Sequence, residues 1–567
     1  MLSGRIIFFI LAVACIAGAF AGCGPKTPGG QPPTGRQATP EPTAVPEELT
    51  VPENIELSGG APARDVIRES GVKMVRRYYR KSYVVAVPVG KHYGFWGLAK
   101  AELSREGDSF VSQKVGDRIY TTAFFIANAF GMRLLQDDVH AEFTVPEKLS
   151  IRYEAGIAKV SVNGAEYPSY PAQKSGSHIY IDCESFASIL GYKTYFDDAS
   201  GIFLMYAEDI AEDVVADPAA QIDLYRERID LYEKVVFNVD DVECDTTGAG
   251  LYEPVPFDER QVGIAYTTWF RQGYVWGKNK TWDLPMLGQY RSEDEDIIYQ
   301  HGVWLANAGV DFVFVDWSNN INYDPETMRK ARDDFRTIEE STELLFKVWS
   351  TIPGAPKICI FTGPGHVQEQ ADCLANGRMK AKNDQIYETF VADPEYGKMY
   401  YYYEGKPLLI CYGATPSFAS SPDEYVDDRF TIRWMTGYVG QQGNLHDKET
   451  KVSSFHWSWE ERGAQTFAVH NGRPEAMTVV AAWRKQGKEG GAGYIPAGLR
   501  DGGNTFKKQW QRADLIGPKF ALIVSFNEWS LGEQVSFENS KDIEPSAQLG
   551  SLYLDIMAEQ IKKFKGR

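Results

Sequence analysis

Two acidic residues stand where this sequence could carry out chemistry. Asp316 directly follows the apolar run 312–315, and Glu528 closely follows the apolar run 520–526. Cleavage of a glycosidic bond usually needs two carboxyl groups, one that protonates the leaving oxygen and one that acts as nucleophile or activates water. We therefore predict Glu528 and Asp316 as catalytic residues. A structural role for Asp316, orienting a neighbour or pairing with an arginine, is the alternative.

Aromatic, histidine and amide side chains occupy similar positions after other apolar runs. The candidate substrate-binding residues are Tyr266, Trp269, Trp317, His366, Trp434, His456, Trp457, Trp483, Asn527 and Trp529. Indole faces stack on sugar rings, while sugar hydroxyls need fixed hydrogen-bond donors and acceptors. The pattern predicts a cleft for a polysaccharide or another glycan. For the two histidines, a purely structural hydrogen-bonding role is an equal alternative.

The elements that must position these residues are short apolar runs alternating with helical stretches. The candidate strands are 262–269, 311–317, 357–362, 407–412, 430–437, 452–457, 476–483 and 520–527. Helices are predicted over 293–308, 327–349, 367–391, 505–515 and 552–563. This alternation predicts an α/β fold with a (β/α)₈ TIM-type barrel over 221–567, whose active site would lie at the carboxyl ends of the strands. A doubly wound open sheet is the alternative.

A small α+β repeat domain is predicted over 72–210. The motif GDRIY at 116–120 recurs as GSHIY at 176–180, an offset of 60 residues. Each copy is predicted to contain a strand, a helix, a glycine at the helix end and a second strand. The repeat resembles the copper amine oxidase-like N-terminal domain of exported Gram-positive proteins. The resemblance implies a stalk or a module that contacts the cell wall, and no metal is expected because no copper-ligand spacing occurs.

The beginning of the chain predicts export. Arg5 precedes the apolar run 6–20, which is short for a membrane span but suits a signal peptide over 1–23. The sequence FAGC at 20–23 resembles a bacterial lipobox, which implies lipidation of Cys23 and an extracellular protein anchored to the cell membrane. Phe20 stands where leucine is usual, so a plainly cleaved signal or an uncleaved anchor are alternatives. The Pro-, Gly- and Thr-rich stretch 24–60 predicts a disordered linker.

Composition and charge restrict the partners. The chain has 567 residues and a net charge of -18, which would repel a phosphate backbone over most of the surface, so nucleic acid is not expected. Five cysteines remain beyond Cys15 and Cys23, and none forms a CxxC pair: Cys183, Cys244, Cys359, Cys373 and Cys411. We therefore expect no zinc site, disulfide framework or cofactor.

The second part of the chain resembles a known group of enzymes. The segments GIAY at 263–266, LGQY at 287–290, FVDW at 314–317 and FNEW at 526–529 are similar to the endo-α-mannosidase-like glycoside hydrolases of family 99 and the related WbsX-like proteins. The resemblance implies a barrel that hydrolyses O-glycosyl bonds. That family carries two glutamates after the fourth strand, where this chain has GATP at 413–416. A non-catalytic carbohydrate-binding or wall-associated surface protein is therefore the alternative, followed by an inert scaffold.

Overall fold

The computed structural model describes most of the chain after its first 48 residues. The described residues are 49–52, 55–56, 84–104, 109–145, 148–206, 217–271, 276, 281–318, 320–321, 333–365, 373–413, 422–463, 465–491, 493–529 and 538–567. The predicted signal peptide with Cys23, most of the predicted linker and His366 lie outside them. Among the described helices, none combines the length and the apolar character that a bilayer crossing demands.

Antiparallel strands and two short helices build the first part of the chain. The elements are β1 (Val84–Pro88), β2 (Tyr93–Trp96), β3 (Ala99–Glu102), β4 (Gln113–Val115), β5 (Arg118–Thr122), α1 (Ala123–Phe130), β6 (Arg133–Gln136), β7 (His140–Val145), β8 (Leu149–Glu154), β9 (Lys159–Val162), β10 (Ala165–Pro168), β11 (Gln173–Ser175), β12 (His178–Asp182), α2 (Cys183–Ile189), β13 (Lys193–Asp197) and β14 (Ile202–Tyr206). Their sheets have the orders β13-β14-β1-β2-β3, β10-β9-β8-β7-β6 and β11-β12-β5-β4.

Both copies of the repeat contain the elements in the same order. The first copy contains β4, β5, α1 and β6, and the second contains β11, β12, α2 and β13. The side chain of Thr122 caps α1 and that of Asp182 caps α2, each by accepting a backbone N–H from three residues further on. Gly131, at φ 63°, ends α1 in the left-handed conformation that glycine favours. The assignment to the copper amine oxidase-like domain stays a prediction.

A nearly closed, barrel-like sheet forms the second part of this mixed α/β structure. Its strands are β15 (Gln261–Tyr266), β16 (Phe312–Trp317), β17 (Lys357–Gly365), β18 (Tyr402–Tyr403), β19 (Lys406–Gly413), β20 (Thr431–Thr436), β21 (Val452–Ser453), β22 (Trp457–Ser458), β23 (Phe467–His470), β24 (Arg473–Val479) and β25 (Phe520–Ile523). The order is β21-β23-β24-β25-β15-β16-β17-β19-β20-β22, with β18 beside β19. Neighbours from β24 through β25 and β15 to β22 are parallel. The predicted strand 452–457 is two short pieces, because residues 454–456 bend between β21 and β22.

Side chains, rather than a backbone ladder, join the two ends of the parallel sheet. Thr478 Oγ1 of β24 donates to the carbonyl of Ser458 in β22. Trp457 Nε1 of β22 donates to Glu475 Oε2 of β24 at 2.9 Å. The sheet therefore curves until β22 and β24 meet, which a doubly wound open sheet does not do.

Helices surround this sheet. They are α3 (Pro218–Leu231), α4 (Glu295–Asn307), α5 (Asp333–Trp349), α6 (Arg378–Ile386), α7 (Asn504–Ile516) and α8 (Leu552–Phe564). The predicted helix 367–391 is interrupted at residues 376–377, between a helical piece at 373–375 and α6, which continues as a π-helical turn at Tyr387–Val391; residues 367–372 lie outside the described residues. Alternate residues of each strand face inward. Phe314 and Phe361 contact Trp459 inside the sheet, whereas Trp317 contacts Phe390 in the helical layer.

The connecting helix α3 packs between the first part and the barrel. Tyr225 Oη donates to the carbonyl of Gly97 at 2.9 Å, and Arg228 Nη2 donates to the carbonyl of Leu549 at 2.9 Å. Tyr232, directly after α3, donates to Asp555 Oδ2 of α8 at 2.7 Å. Residues Pro46–Arg567 belong to one compact unit.

Candidate functional site

The structure brings Asp316 and Glu528 together at the carboxyl ends of the barrel strands. Asp316 is the penultimate residue of β16, and Glu528 follows β25. The Lys541 ammonium forms an ion pair with Glu528 Oε2 at 2.6 Å and also acts on the pKa of Asp316. Burial raises the pKa of the Tyr412 phenol, and both carboxylates raise it further. Both predicted catalytic residues therefore lie within electrostatic range of the same lysine and tyrosine.

A row of alternating charges crosses this end of the barrel. It consists of Arg462, Glu460, Lys541 and Glu528, and we call it the charge row. Arg462 Nε lies 3.3 Å from Glu460 Oε1, and Lys541 Nζ lies 2.9 Å from Glu460 Oε2. Burial by itself would lower the pKa of the Lys541 ammonium, but Glu460 and Glu528 together raise it above its usual range. Burial would likewise raise the pKa of Glu460, but Lys541 and Arg462 hold it below its ordinary value.

Asp316 is the more deeply buried of the two candidate acids. Its residue is 7% exposed, and its Oδ1 accepts the backbone N–H of Ser318 at 2.9 Å. Burial raises the pKa of Asp316, while the hydrogen bonds from Ser318 and the charge of Lys541 act in the opposite direction. A raised pKa favours the protonated acid, which is the form that can donate a proton to a leaving group.

Glu528 remains accessible from solvent. Its side chain is 24% exposed, and its backbone N–H donates to Ser525 Oγ at 3.2 Å. Burial raises the pKa of Glu528, and Lys541 opposes that shift by stabilising the carboxylate. A ligand that enters this end of the barrel can therefore reach the Glu528 carboxyl group.

Two further aromatic side chains, Trp459 and Tyr412, lie near Lys541, and of these Trp459 was not predicted from the sequence. Trp459 is half-buried and stacks on Phe361, with ring centroids 4.9 Å apart and planes 4° apart. The Lys541 ammonium lies 5.5 Å from the Trp459 ring centroid. The Tyr412 ring contacts the Phe361 ring edge-on, with centroids 5.5 Å apart. The alternation Trp457-Ser458-Trp459-Glu460 was the sequence signal, because it places both indoles on one face of a strand.

Four of the predicted indoles are covered by protein. The exposed fractions of Trp317, Trp434, Trp457 and Trp529 are 1%, 2%, 1% and 0%. Their N–H groups donate to Thr342 Oγ1, the Pro422 carbonyl, Glu475 Oε2 and Glu544 Oε2, respectively. A sugar ring cannot stack on a face that is already packed, so the sequence-based expectation for these four side chains is corrected to a packing role.

Tyr266 and Asn527 belong to a buried hydrogen-bond network. Tyr266 Oη lies 2.8 Å from His301 Nδ1, and His301 Nε2 lies 3.1 Å from Glu544 Oε1. Asn527 Oδ1 accepts the backbone N–H of Thr267 at 2.8 Å. Asn527 and Trp529 flank Glu528 in the chain. Both are held by these contacts, because Trp529 Nε1 also donates to Glu544. Tyr266 and Asn527 therefore support Glu528 in this structure rather than face the opening.

The remaining predicted binding residues differ in access. His456 is 4% exposed, and its ring packs on that of Phe455 with centroids 4.0 Å apart. Trp269 and Trp483 are half-buried, so part of each indole is open. Together with Trp459, they are the candidates for stacking on a sugar. Within the part of the chain that the structure describes, no group of three or more His, Cys, Asp or Glu residues could hold a metal ion.

Comparisons with known proteins identify structural neighbours. No family model matches the chain, and no curated protein matches its sequence. The fold is similar to a GH99 endo-alpha-mannosidase from Bacteroides thetaiotaomicron, at 18% identity and a TM-score of 0.36, over 54% of this chain and 98% of that one. A second structure of that enzyme gives 15% identity and a TM-score of 0.35 over the same shares. A glycoside hydrolase-like protein gives 13% identity and a TM-score of 0.35, over 56% of this chain and 98% of that one. Similarity at this level does not identify a substrate or a reaction for this chain.

Proposed function

We propose that this chain is a glycoside hydrolase-like protein that acts on a polysaccharide or another glycan at the carboxyl ends of a (β/α)₈ TIM-type barrel. The observation that carries this proposal is that Asp316 and Glu528 lie at the same end of the barrel, where Lys541 pairs with Glu528 and acts on the pKa of Asp316. Half-buried Trp459 lies beside them and offers an aromatic surface for a sugar ring.

We infer different roles for the two acids from their surroundings. Lys541 stabilises the charged form of Glu528, which suits a nucleophile, a base or an acceptor for sugar hydroxyls. Asp316 is more deeply buried and makes no ion pair with the described residues, and the rise of its pKa on burial suits a proton donor. Lys541 touches Glu528 directly and acts through it, as a positioning residue.

Hydrolysis by the purified full chain tests the proposal. With a panel of neutral and acidic polysaccharides as substrates, we expect Glu528→Gln and Asp316→Asn each to reduce the release of reducing ends by about 100-fold or more. Glu489→Gln is the matched control, because Glu489 is an exposed carboxylate in the loop after β24. Circular dichroism of each variant establishes that it is folded. Hydrolysis at the wild-type rate by Glu528→Gln would refute the role of Glu528.

Glycan binding without hydrolysis is the second candidate function. Its support is the absence of a glutamate pair at 413–416 and the ion pair that occupies Glu528. Isothermal titration with the same panel distinguishes the two functions, since a binding protein gives heats of association but no new reducing ends. In that case Glu528→Gln weakens binding by removing an acceptor for sugar hydroxyls.

Export and lipidation remain proposals that rest on the sequence. The lipobox-like residues 20–23 support attachment at Cys23, and the repeat domain supports a contact with the cell wall. Mass spectrometry of the mature N-terminus checks the lipid. An unmodified cysteine or a cut elsewhere contradicts the anchor.

A further inference from the structure

A two-stranded ribbon extends from the barrel at the same end as the candidate acids. It begins shortly after β24, where Trp483 and Gly498 exchange backbone hydrogen bonds of 2.9 and 3.0 Å. Gln486 and Ile495 exchange a second pair of the same lengths. The Trp483 ring lies directly over Gly498, since a Cβ at that glycine would overlap the ring. We refer to residues 483–486 and 495–498 as the ribbon.

Arg462 ties the ribbon to the charge row. Its Nη1 donates to Gln486 Oε1 at 3.0 Å, and its Nη2 donates to Tyr438 Oη. The same guanidinium carbon lies 3.9 Å from the centroid of the Tyr438 ring. The first strand of the ribbon therefore borders the opening that contains Glu460, Lys541 and Glu528.

The cations of this region differ in what neutralises them. Lys541 is held by Glu460 and Glu528, and Arg462 is held by Glu460, Gln486 and Tyr438. Arg484 lies in the ribbon between Trp483 and Gln486 and is half-buried. Its side chain makes no hydrogen bond or ion pair with any residue that the structure describes.

The charge of Arg484 nevertheless acts on Tyr438, which contacts Arg462 of the charge row. Burial and Glu460 raise the pKa of the Tyr438 phenol, whereas Arg462, Lys541 and Arg484 act against that rise. Arg484 lies two residues before Gln486, which contacts Arg462, and its planar set of N–H donors has no carboxylate partner among the described residues. This donor geometry matches carboxylate and other oxyanions in a bidentate manner.

We propose that Arg484, in the ribbon segment that Gln486 ties to Arg462, forms a subsite for the acidic group of a charged sugar, a carboxylate or a sulfate. This inference rests on the proposed function and narrows its substrate class to acidic glycans. The net charge of -18 opposes such a ligand at long range. Salt screens charges beyond about 10 Å at 0.1 M, whereas a direct contact with a half-buried guanidinium persists.

Binding of matched oligosaccharides by the full chain tests the subsite. The probes are uronate oligosaccharides, their neutral methyl esters, sulfated oligosaccharides and neutral oligosaccharides, titrated calorimetrically at fixed ionic strength. We expect an acidic probe to bind at least about tenfold more tightly than its neutral counterpart. Arg484→Gln should reduce that ratio to about one. Lys488→Gln, at an exposed position near the tip of the ribbon, should leave the ratio unchanged.

The outcomes separate the two proposals. A preference for uronates or for sulfates that depends on Arg484 supports the subsite and identifies the acidic group. Equal binding of acidic and neutral probes, or equal losses in Arg484→Gln and Lys488→Gln, overturns the subsite and leaves the glycan function in place. Absence of binding and of hydrolysis with every probe overturns both.

Discussion

At the scale of single residues, Lys541 determines the charge state of the candidate site. It is the cation between two buried or half-buried carboxylates, Glu460 and Glu528. Removal of one partner from such a cluster leaves charges without compensation, which costs more than the pair itself contributes.

We predict that Lys541→Met lowers the free energy of unfolding at pH 7 by about 3 kcal/mol. Lys488→Met is the control, since Lys488 is exposed. The loss of unfolding free energy caused by Lys541→Met should be smaller in acid. Glu460 has a depressed pKa in the folded protein, so it stabilises the fold above its unfolded pKa and loses that contribution as pH falls. Urea denaturation at pH 7 and pH 4 measures both effects. Equal losses at the two pH values would contradict the electrostatic explanation.

Strand geometry explains which single residues were predictable. Asp316 and Trp317 are consecutive residues of β16, so their side chains point to opposite faces. Asp316 faces inward with Phe314, and Trp317 packs against the helices. The end of an apolar run therefore predicted the position of Asp316 at the end of a strand. The same rule fails for Trp317, because its side chain points to the other face of the sheet.

At the scale of elements, side-chain hydrogen bonds close the seam between β22 and β24. β22 contains only Trp457–Ser458, and side chains replace the missing backbone ladder. A short strand of this kind is difficult to predict, because the apolar pattern of 452–457 does not reveal the bend at 454–456.

We predict that Thr478→Val destabilises the protein by about 1 kcal/mol, because it removes the hydroxyl that donates to the Ser458 carbonyl. Thr436→Val is a matched control in β20. The Thr436 hydroxyl is buried and has no partner among the described residues, so its loss should leave stability unchanged or slightly higher. Thermal unfolding compares the two variants. An equal effect of both would show that the seam does not depend on this hydrogen bond.

At the scale of the whole molecule, a buried polar cluster joins the first part of the chain to the barrel. Asp555 of α8 accepts from Tyr232 Oη at 2.7 Å and from Ser551 Oγ at 2.6 Å, and Lys100 lies close enough to act on its pKa. Burial raises the pKa of Asp555 to about 6, although Lys100 and the two hydroxyl donors oppose the rise.

We predict that this junction is more stable in mild acid than at neutral pH. A carboxyl group whose pKa is raised on folding stabilises the fold below its unfolded pKa and loses that contribution as pH rises through about 6. Asp555→Asn should remove this pH dependence. The free energy of unfolding of the variant, relative to that of the wild type, should therefore rise by about 2 kcal/mol from pH 4 to pH 7. Denaturation at the two pH values measures the change. A constant difference would show that Asp555 does not titrate in this range.

By itself, the sequence determined the strands of the parallel sheet, the repeat before it and the two acids at strand ends. These features are local, since buried parallel strands are continuous apolar runs and a repeat is visible as an offset. Only the tertiary structure showed Lys541 between Glu460 and Glu528, the contact of Gln486 with Arg462 and the covering of four indoles. Those contacts join residues far apart, such as Lys541 and Glu460 at 81 positions. Spacing along the chain does not encode such pairs, because the closure of the sheet decides which side chains meet.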